Sequence, residues 1–395
     1  MASLRRVKYL YTILVVLLKS IDIAHGQTIQ QNASGNVGND FEGELIQKLF
    51  SRRSHMVPPY TYNNDGTFNP VNVGVRLDIN SISGLDMRSQ QFTFTGWFLI
   101  FYTDPLLSWD TAVYLVDAIF VKPEDIWIPD MVLYNSVFPI DQLVKQKMPV
   151  KVRANGLLWW TPGDTITTTC DVNIRLFPFD TQTCTIRIGP WAYSDHQINC
   201  TDVSLSVVNG TAEFDVTHSS WRIDRTHYND VWFVEYSVTL RRKWLFYAMN
   251  VVLPVVLVSA LNSVVFVLPV QCGEKMSVSL TTFLTLAVFM TLIQDSLPSN
   301  SDTVCYLAVY LASQMVLSVA AVVVSAVRVA CHHRHVKEEN EIQNFQDTCS
   351  NPVDAEKGTS VDWQRLGVVI DRICFPVFTG FSVLSFLAYG IITVL

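Results

Sequence analysis

Charge is scarce in this sequence: 16% of its 395 residues are Asp, Glu, Lys or Arg, and the net charge of −7 is scattered rather than gathered into a patch. No nucleic-acid partner is expected of such a chain. Cysteine is scarce too. Eight occur, but only Cys170, Cys184 and Cys200 lie between residues 27 and 243, so at most one intramolecular disulfide can form there. No segment repeats at a fixed period, and no constellation of acid, base, nucleophile or metal ligands is arranged for catalysis. An enzyme is therefore not expected, nor a cofactor. The run His332-His333-Arg334-His335 has no carboxylate or thiol at ligand spacing and reads as the basic flank of a membrane span rather than a metal site.

Apolar residues are what the chain has in excess, at 49% with a mean hydropathy of +0.26, too much for an ordinary soluble protein. The first apolar run is short. Arg5, Arg6 and Lys8 precede it, and Ala24-His25-Gly26 follows with a cleavage point before Gln27, so residues 1–26 read as a secretory signal peptide. Export places residues 27–243 in a glycosylating compartment, consistent with acceptor sequons at Asn32, Asn199 and Asn209.

Four spans follow, over residues 244–268, 276–293, 304–329 and 366–395, each near the ~20 apolar residues that cross hydrocarbon. Arg328, His332, His333, Arg334, His335 and Lys337 flank the third on what should be the cytoplasmic side. The spans expected between residues 244 and 330 thus precede a short polar cytoplasmic segment, 331–365, read as a loop or short helix. The fourth returns the C-terminus to the outside of the plasma membrane, where the N-terminal domain also lies. Asp371 with Arg372 is the one charged pair inside a span and reads as a snorkelling anchor near the cytosolic edge.

Residues 27–243 read as strands more than helices. Runs at 91–103, 170–176, 183–188 and 231–240 are rich in aromatic and β-branched residues and are separated by turn clusters. One helix is expected near the start, capped by Asp40, with Leu45, Ile46, Leu49 and Phe50 on one face. The fold class is an extracellular all-β sandwich with an N-terminal helix, plus a four-helix transmembrane domain. Cys170 with Cys184 is the expected disulfide, its loop carrying Phe177-Pro178-Phe179-Asp180. Closing a loop of that length stabilises a domain by ~3 kcal/mol on the chain-entropy account.

The second span carries a stripe. At 100° per residue Ser277, Thr281, Leu284, Val288, Thr291 and Asp295 share one narrow face, polar at both ends and apolar in the middle. Repeated around a pore, hydroxyls can replace part of an ion's hydration shell, and Leu284 with Val288 can close the path by dewetting. Glu274 before the helix and Asp295 after it would ring the two mouths with negative charge. Ser279, Thr282 and Thr285 fall off the stripe and are expected to bond to neighbouring helices.

Several motifs occur together and in order: Trp127-Ile128-Pro129-Asp130, Leu133-Tyr134-Asn135, the Cys170 to Cys184 loop, Gly189-Pro190-Trp191, the first-span run 250–254, Gly273-Glu274-Lys275 and Asp371-Arg372-Ile373-Cys374. In this set the chain resembles the Cys-loop receptors, the pentameric ligand-gated ion channels, and is most similar to the nicotinic acetylcholine receptor subunits. The resemblance implies four further identical or homologous subunits around a pore, a surrounding membrane lipid and a small-molecule agonist held between subunits. It also implies an aromatic cage that holds amines by cation–π attraction, with Tyr134 and Trp191 on one face and Trp97 from the neighbour.

Two adjacent cysteines that mark nicotinic α subunits are absent. Tyr228 is the candidate for a further cage tyrosine, and Val231 falls near the place of another. Lys275 should point away from the conduction path and Glu274 toward it. No Pro-Ala insertion of the kind found in anion-selective relatives precedes Lys275, so permeating monovalent cations are expected. The same-family alternative is an anion channel, and from a different class comes a non-conducting or obligate-partner subunit.

Overall fold

The computed structural model describes residues 41–51, 53–140, 143, 147–227, 231–270, 274–298, 303–348 and 363–394. The expected signal peptide, Asn32, Asp40 and Tyr228 lie outside them. In chain order the elements are helix α1 (Phe41–Phe50), strands β1 (Thr61–Tyr62), β2 (Phe68–Asn69), β3 (Val71–Asp86) and β4 (Gln91–Ser108), and the short helix α2 (Thr111–Tyr114). Strands β5 (Ala118–Val121), β6 (Met131–Leu133), β7 (Val150–Arg153), β8 (Asn155–Trp160) and β9 (Gly163–Thr169) follow. The last four strands are β10 (Thr181–Pro190), β11 (Ile198–Val207), β12 (Phe214–His227) and β13 (Val231–Arg242).

Two compact units result. One comprises the described residues up to Pro59 with Thr103–Ile128 and Pro149–Trp159; the other comprises Tyr60–Tyr102, Pro129–Met148 and everything from Trp160 on. In the first, α1 buries Leu45 and Leu49 as its apolar face requires. Strands β5, β7 and β8 pair antiparallel, and Arg53 holds Asp104 at 2.6 Å with both side chains nearly fully buried.

The second unit contains a sandwich. One sheet runs β12-β13-β10-β6, and the other includes β11, β3 and β4, with β9 on β4. Burial alternates along β4 and β13, the period of strands with one face in a core. Phe92, Phe94 and Phe98 from β4 and Trp232 and Tyr236 from β13 are fully buried. Tyr236 meets Phe98 at 6.4 Å between ring centroids and its hydroxyl donates to the Val75 carbonyl at 2.7 Å, tying the sheets together.

One expected strand is missing. Residues 171–174 form no ladder although their composition suits one. Local polar bonds take the place of pairing: the Asn173 amide donates to Gln182 Oε1, and Gln182 Nε2 donates to the Asn173 carbonyl and to Asp180, at 2.6 to 2.8 Å. The Cys170–Cys184 disulfide closes this loop.

Among its described residues the same unit holds four helices long and apolar enough to cross a membrane. They are α3 (Leu245–Val267), α4 (Lys275–Ser296), α5 (Tyr306–Thr348) and α6 (Trp363–Val394). In α3 a π segment, Ala248–Val252, comes just before Pro254; proline has no amide to offer the preceding turn, and a wider turn accommodates the loss. Helix α5 continues past residue 330 to Thr348, into the segment expected to be a loop or short helix. Ion pairs one turn apart, His335 with Glu339 at 3.7 Å and Lys337 with Glu341 at 3.8 Å, suit a helix that runs on in polar sequence.

Candidate functional site

Strands β6, β10 and β13 lie side by side and bring three aromatic rings together. Tyr134, just after β6, lies 6.2 Å from Trp191, just after β10, and 6.0 Å from Phe233 on β13. The Tyr134 hydroxyl donates to the Pro190 carbonyl at 2.6 Å, which fixes the ring. Trp191 is 60% and Tyr134 38% exposed, so the cluster is open on one side.

Asp130 supports it from behind. Its carbonyl accepts the Trp191 amide at 3.2 Å and its carboxylate accepts the Ala192 amide at 2.6 Å. Burial pushes the Asp130 carboxyl above the usual carboxylate range despite those bonds, and burial followed by the Asp130 charge raises the Tyr134 phenol.

Trp97 is not part of this cluster. It stands on β4 in the other sheet, 41% exposed, with Nε1 donating to Asp78 at 3.1 Å. Within one chain, the described residues expected in the cage therefore stand in two separate places, one on each sheet. The ring that reaches Tyr134 from β13 is Phe233. Alternation along β13 could have located it, because Trp232, Val234 and Tyr236 face the core and Phe233 must face the other way.

Beside Phe233 lies a charged group that the sequence reading missed. Glu235 takes Arg187 at 2.7 Å and Arg222 at 2.8 Å, from the two strands that flank its own. Burial resists the Glu235 charge, but the two guanidiniums prevail and hold its carboxyl below the ordinary value. Arg187 also lies 5.9 Å over the Phe233 ring.

At the end of β13 the buried side chain is Arg242; Arg241 is exposed. The Arg242 guanidinium donates to Asp180 at 2.8 Å and also to Glu213, and lies 4.5 Å over Phe214 and 5.2 Å over Phe177. Tyr247 of α3 joins through its hydroxyl to Glu213 at 2.8 Å. From the same disulfide loop, the Phe177 carbonyl accepts Tyr389 of α6 at 3.4 Å and the Arg175 carbonyl accepts the Tyr306 amide of α5 at 3.1 Å. The loop thus touches three of the four membrane helices.

Helix α4 has one exposed and one buried face. Glu274, Ser277, Thr281, Leu284, Val288, Thr291 and Asp295 are exposed, whereas Lys275, Ser279, Thr282, Leu286 and Ile293 are buried. The Thr281 hydroxyl donates to the Ser277 carbonyl at 2.9 Å and that of Thr291 to the Val288 carbonyl at 2.8 Å. Of the three off-stripe hydroxyls, Ser279 reaches Ser325 of α5 at 3.2 Å, but Thr282 and Thr285 donate to carbonyls of their own helix. Asp295 lies 3.9 Å from Arg88, and both are largely exposed.

Asp371 does not pair with Arg372. It takes Lys275 of α4 at 2.6 Å and Arg328 of α5 at 3.1 Å. An intramembrane carboxylate needs a partner in a dry setting, and two cations on facing helices are better placed than the next residue on its own. Of the sequons, Asn209 is exposed in a turn after β11, while Asn199 is half-buried within β11 with its amide 3.4 Å from Asn72. Cys200, the leftover thiol, is buried and its pKa is pushed up to about 12 by desolvation, which makes it unreactive.

Residues 42–249 match the neurotransmitter-gated ion-channel ligand binding domain, and residues 251–354 match the neurotransmitter-gated ion-channel transmembrane region. The chain is 30% identical over 313 residues to the neuronal acetylcholine receptor subunit alpha-6 of Homo sapiens, covering 76% of this chain and 62% of that one. It is 29% identical over 352 residues to the acetylcholine receptor subunit alpha-like 2 of Drosophila melanogaster, with 84% and 58% covered. To the acetylcholine receptor subunit alpha-L1 of Schistocerca gregaria it is 30% identical over 311 residues, with 73% and 54% covered. It therefore spans 54% to 62% of the length of these curated relatives. A sandwich with a disulfide-closed loop followed by four apolar helices, matched by both family models in that order, makes this chain an integral membrane protein of the neurotransmitter-gated ion-channel family, the ligand-gated channels that include the nicotinic receptor subunits, and not an enzyme.

Proposed function

We propose that the chain is one subunit of a pentameric, cation-selective channel opened by a small-molecule ligand, with its sandwich and C-terminus on the extracellular side of the plasma membrane. The observation that carries this reading is the exposed stripe on α4. Its residues are the ones a five-fold axis would turn toward a pore, while Lys275 is drawn away to Asp371. Glu274 and Asp295 then form acidic rings that attract cations. Ser277 and Thr281 offer hydroxyl oxygens, the Thr281 proton being already engaged by its own helix, and Leu284 with Val288 forms the apolar constriction.

The ligand site is read as lying between subunits. Tyr134, Trp191 and Phe233 offer one wall and Trp97 of the neighbouring subunit the other, with Tyr228 close by in sequence. An open aromatic wall suits an amine through cation–π attraction. Cys170–Cys184 braces the loop that couples this domain to the spans. Among the sequons, Asn209 is the favoured glycan site on exposure, ahead of Asn199 and Asn32. Expression of the full chain in cells under a panel of amines tests the proposal: currents whose reversal follows Na⁺ and K⁺ support it, and reversal that tracks Cl⁻ refutes the selectivity.

A second reading is an obligate-partner subunit. It is favoured by the third ring being a phenylalanine without a hydroxyl and by Arg187 over it, a cation where an amine would bind. Surface expression without current from the single chain, restored by a second subunit, is its signature.

A further inference from the structure

Charge is divided across the aromatic wall. At one end Asp130 lies behind Trp191, its carbonyl accepting the Trp191 amide and its carboxylate the Ala192 amide. At the other end, past Phe233, Arg187 of β10 and Arg222 of β12 share the single carboxylate of Glu235. Two guanidiniums against one carboxylate leave that end positive.

Both arginines keep donors for a further acceptor. Arg187 gives its Nε–H to Glu235 Oε2 at 2.7 Å and Arg222 gives its Nε–H to Oε1 at 2.8 Å, so the terminal amino groups of each guanidinium remain. The Glu235 side chain is only 6% exposed, whereas those of Arg187 and Arg222 are 45% and 64% exposed. Arg187 is the one that borders the wall, 5.9 Å over the Phe233 ring. Its backbone is fixed beside Tyr134: the Arg187 carbonyl accepts the Tyr134 amide at 2.9 Å, and its amide donates to Asn135 Oδ1 at 3.0 Å. A ligand with only a positive charge is opposed by this guanidinium, while a carboxylate matches it as an acceptor.

We propose that the ligand of this wall is a zwitterion, whose ammonium rests on Trp191 and Tyr134 at the Asp130 end and whose carboxylate meets Arg187. The inference rests on the wall being the ligand site. Arg187 is then the residue that selects carboxylated amines over simple amines. Arg222 supports it by taking one oxygen of Glu235, which would otherwise hold Arg187 alone.

The test is isothermal titration calorimetry of the purified full chain with glycine betaine and with choline, which share a trimethylammonium group and differ in carboxylate against hydroxyl. Betaine should bind about ten-fold more tightly than choline, the low end of what a charge-assisted hydrogen bond contributes. Arg187→Gln should abolish the preference by moving the two affinities in opposite directions, weakening betaine and strengthening choline, whereas a folding defect lowers both. Arg187→Lys keeps the charge without the fork and should retain part of the preference, and Trp191→Ala should weaken both ligands. Choline bound as tightly as betaine, a preference that survives Arg187→Gln, or an equal loss of both ligands in Arg187→Gln and Arg187→Lys would overturn the zwitterion assignment and leave the wall standing as a ligand site. Binding of neither probe, or affinities unmoved by Trp191→Ala, would overturn the site and the assignment with it.

Discussion

The aromatic wall and the exposed face of α4 are built on opposite principles. Tyr134, Trp191 and Phe233 come from three strands widely separated in sequence and are held by cross-strand register, by the Tyr134 bond to Pro190 and by Asp130 behind. The α4 face comes from one helix, where residues three and four apart coincide and the hydroxyls bond to the turn before. A wall assembled by register can be disturbed from far away. A helical face answers mainly to the residue that is changed.

The largest expected effect lies outside both regions, where the sandwich meets the first span. Arg242→Ala leaves Asp180 and Glu213 without their guanidinium in a buried node, a loss of about 3–5 kcal/mol for a broken buried pair. Thermal melting of purified protein should show it, and Arg242→Lys should recover only part. Near-normal melting of the alanine variant would mean that the joint between sandwich and spans is held elsewhere.

Within the wall, Trp191→Ala should weaken agonist potency about thirty-fold, the scale of a desolvated cation–π contact of ~2 kcal/mol. Trp191→Phe should lose less. A ligand that binds without the ring would respond equally to both variants. On the helix, Leu284→Ser should favour the open pore and raise potency about ten-fold, toward the low end of allosteric coupling, without changing ligand binding to the isolated closed state. Comparison of the two substitutions separates binding from gating.

A pH series sharpens the contrast in another way. The carboxyl of Glu235 is held low in the folded chain, so its stabilisation is complete above the ordinary glutamate value and is lost as pH falls through the depressed one. Asp130 is shifted up, so acid protonates it first in the folded state and relieves the cost of its buried charge. Glu235→Gln should flatten the acid-side loss of melting temperature, and Asp130→Asn should steepen it. The smallest effect is expected from Asp295→Asn. Its exposed contact with Arg88 at 3.9 Å is worth little for stability, so melting should be unchanged while single-channel cation current falls by less than about two-fold.

Much of the membrane half was legible because its signals are local. A run of apolar residues announces a span whatever packs on it, and the 100° periodicity of α4 predicted a face whose residues are indeed exposed. The helix of the third span runs beyond its apolar stretch: hydropathy marks where lipid stops, not where a helix stops, and ion pairs one turn apart suit α5 as far as Glu341. The run 170–176 misled in the opposite direction. Its β-branched residues fit a strand, but Gln182 and Asp180 satisfy the loop's polar groups locally.

By itself, then, the sequence determined the spans, the disulfide-closed loop, the outward stripe of α4 and the presence of an alternating sandwich, all of which follow from spacing along one chain. Only the tertiary structure decided which partner each buried charge and ring would find. Asp371 met Lys275 and Arg328 rather than Arg372, Arg242 rather than Arg241 turned inward, and Phe233 reached Tyr134. Each choice depends on how separate strands and helices align, and no local propensity encodes that alignment, because a one-residue shift in register exchanges every inward side chain for an outward one.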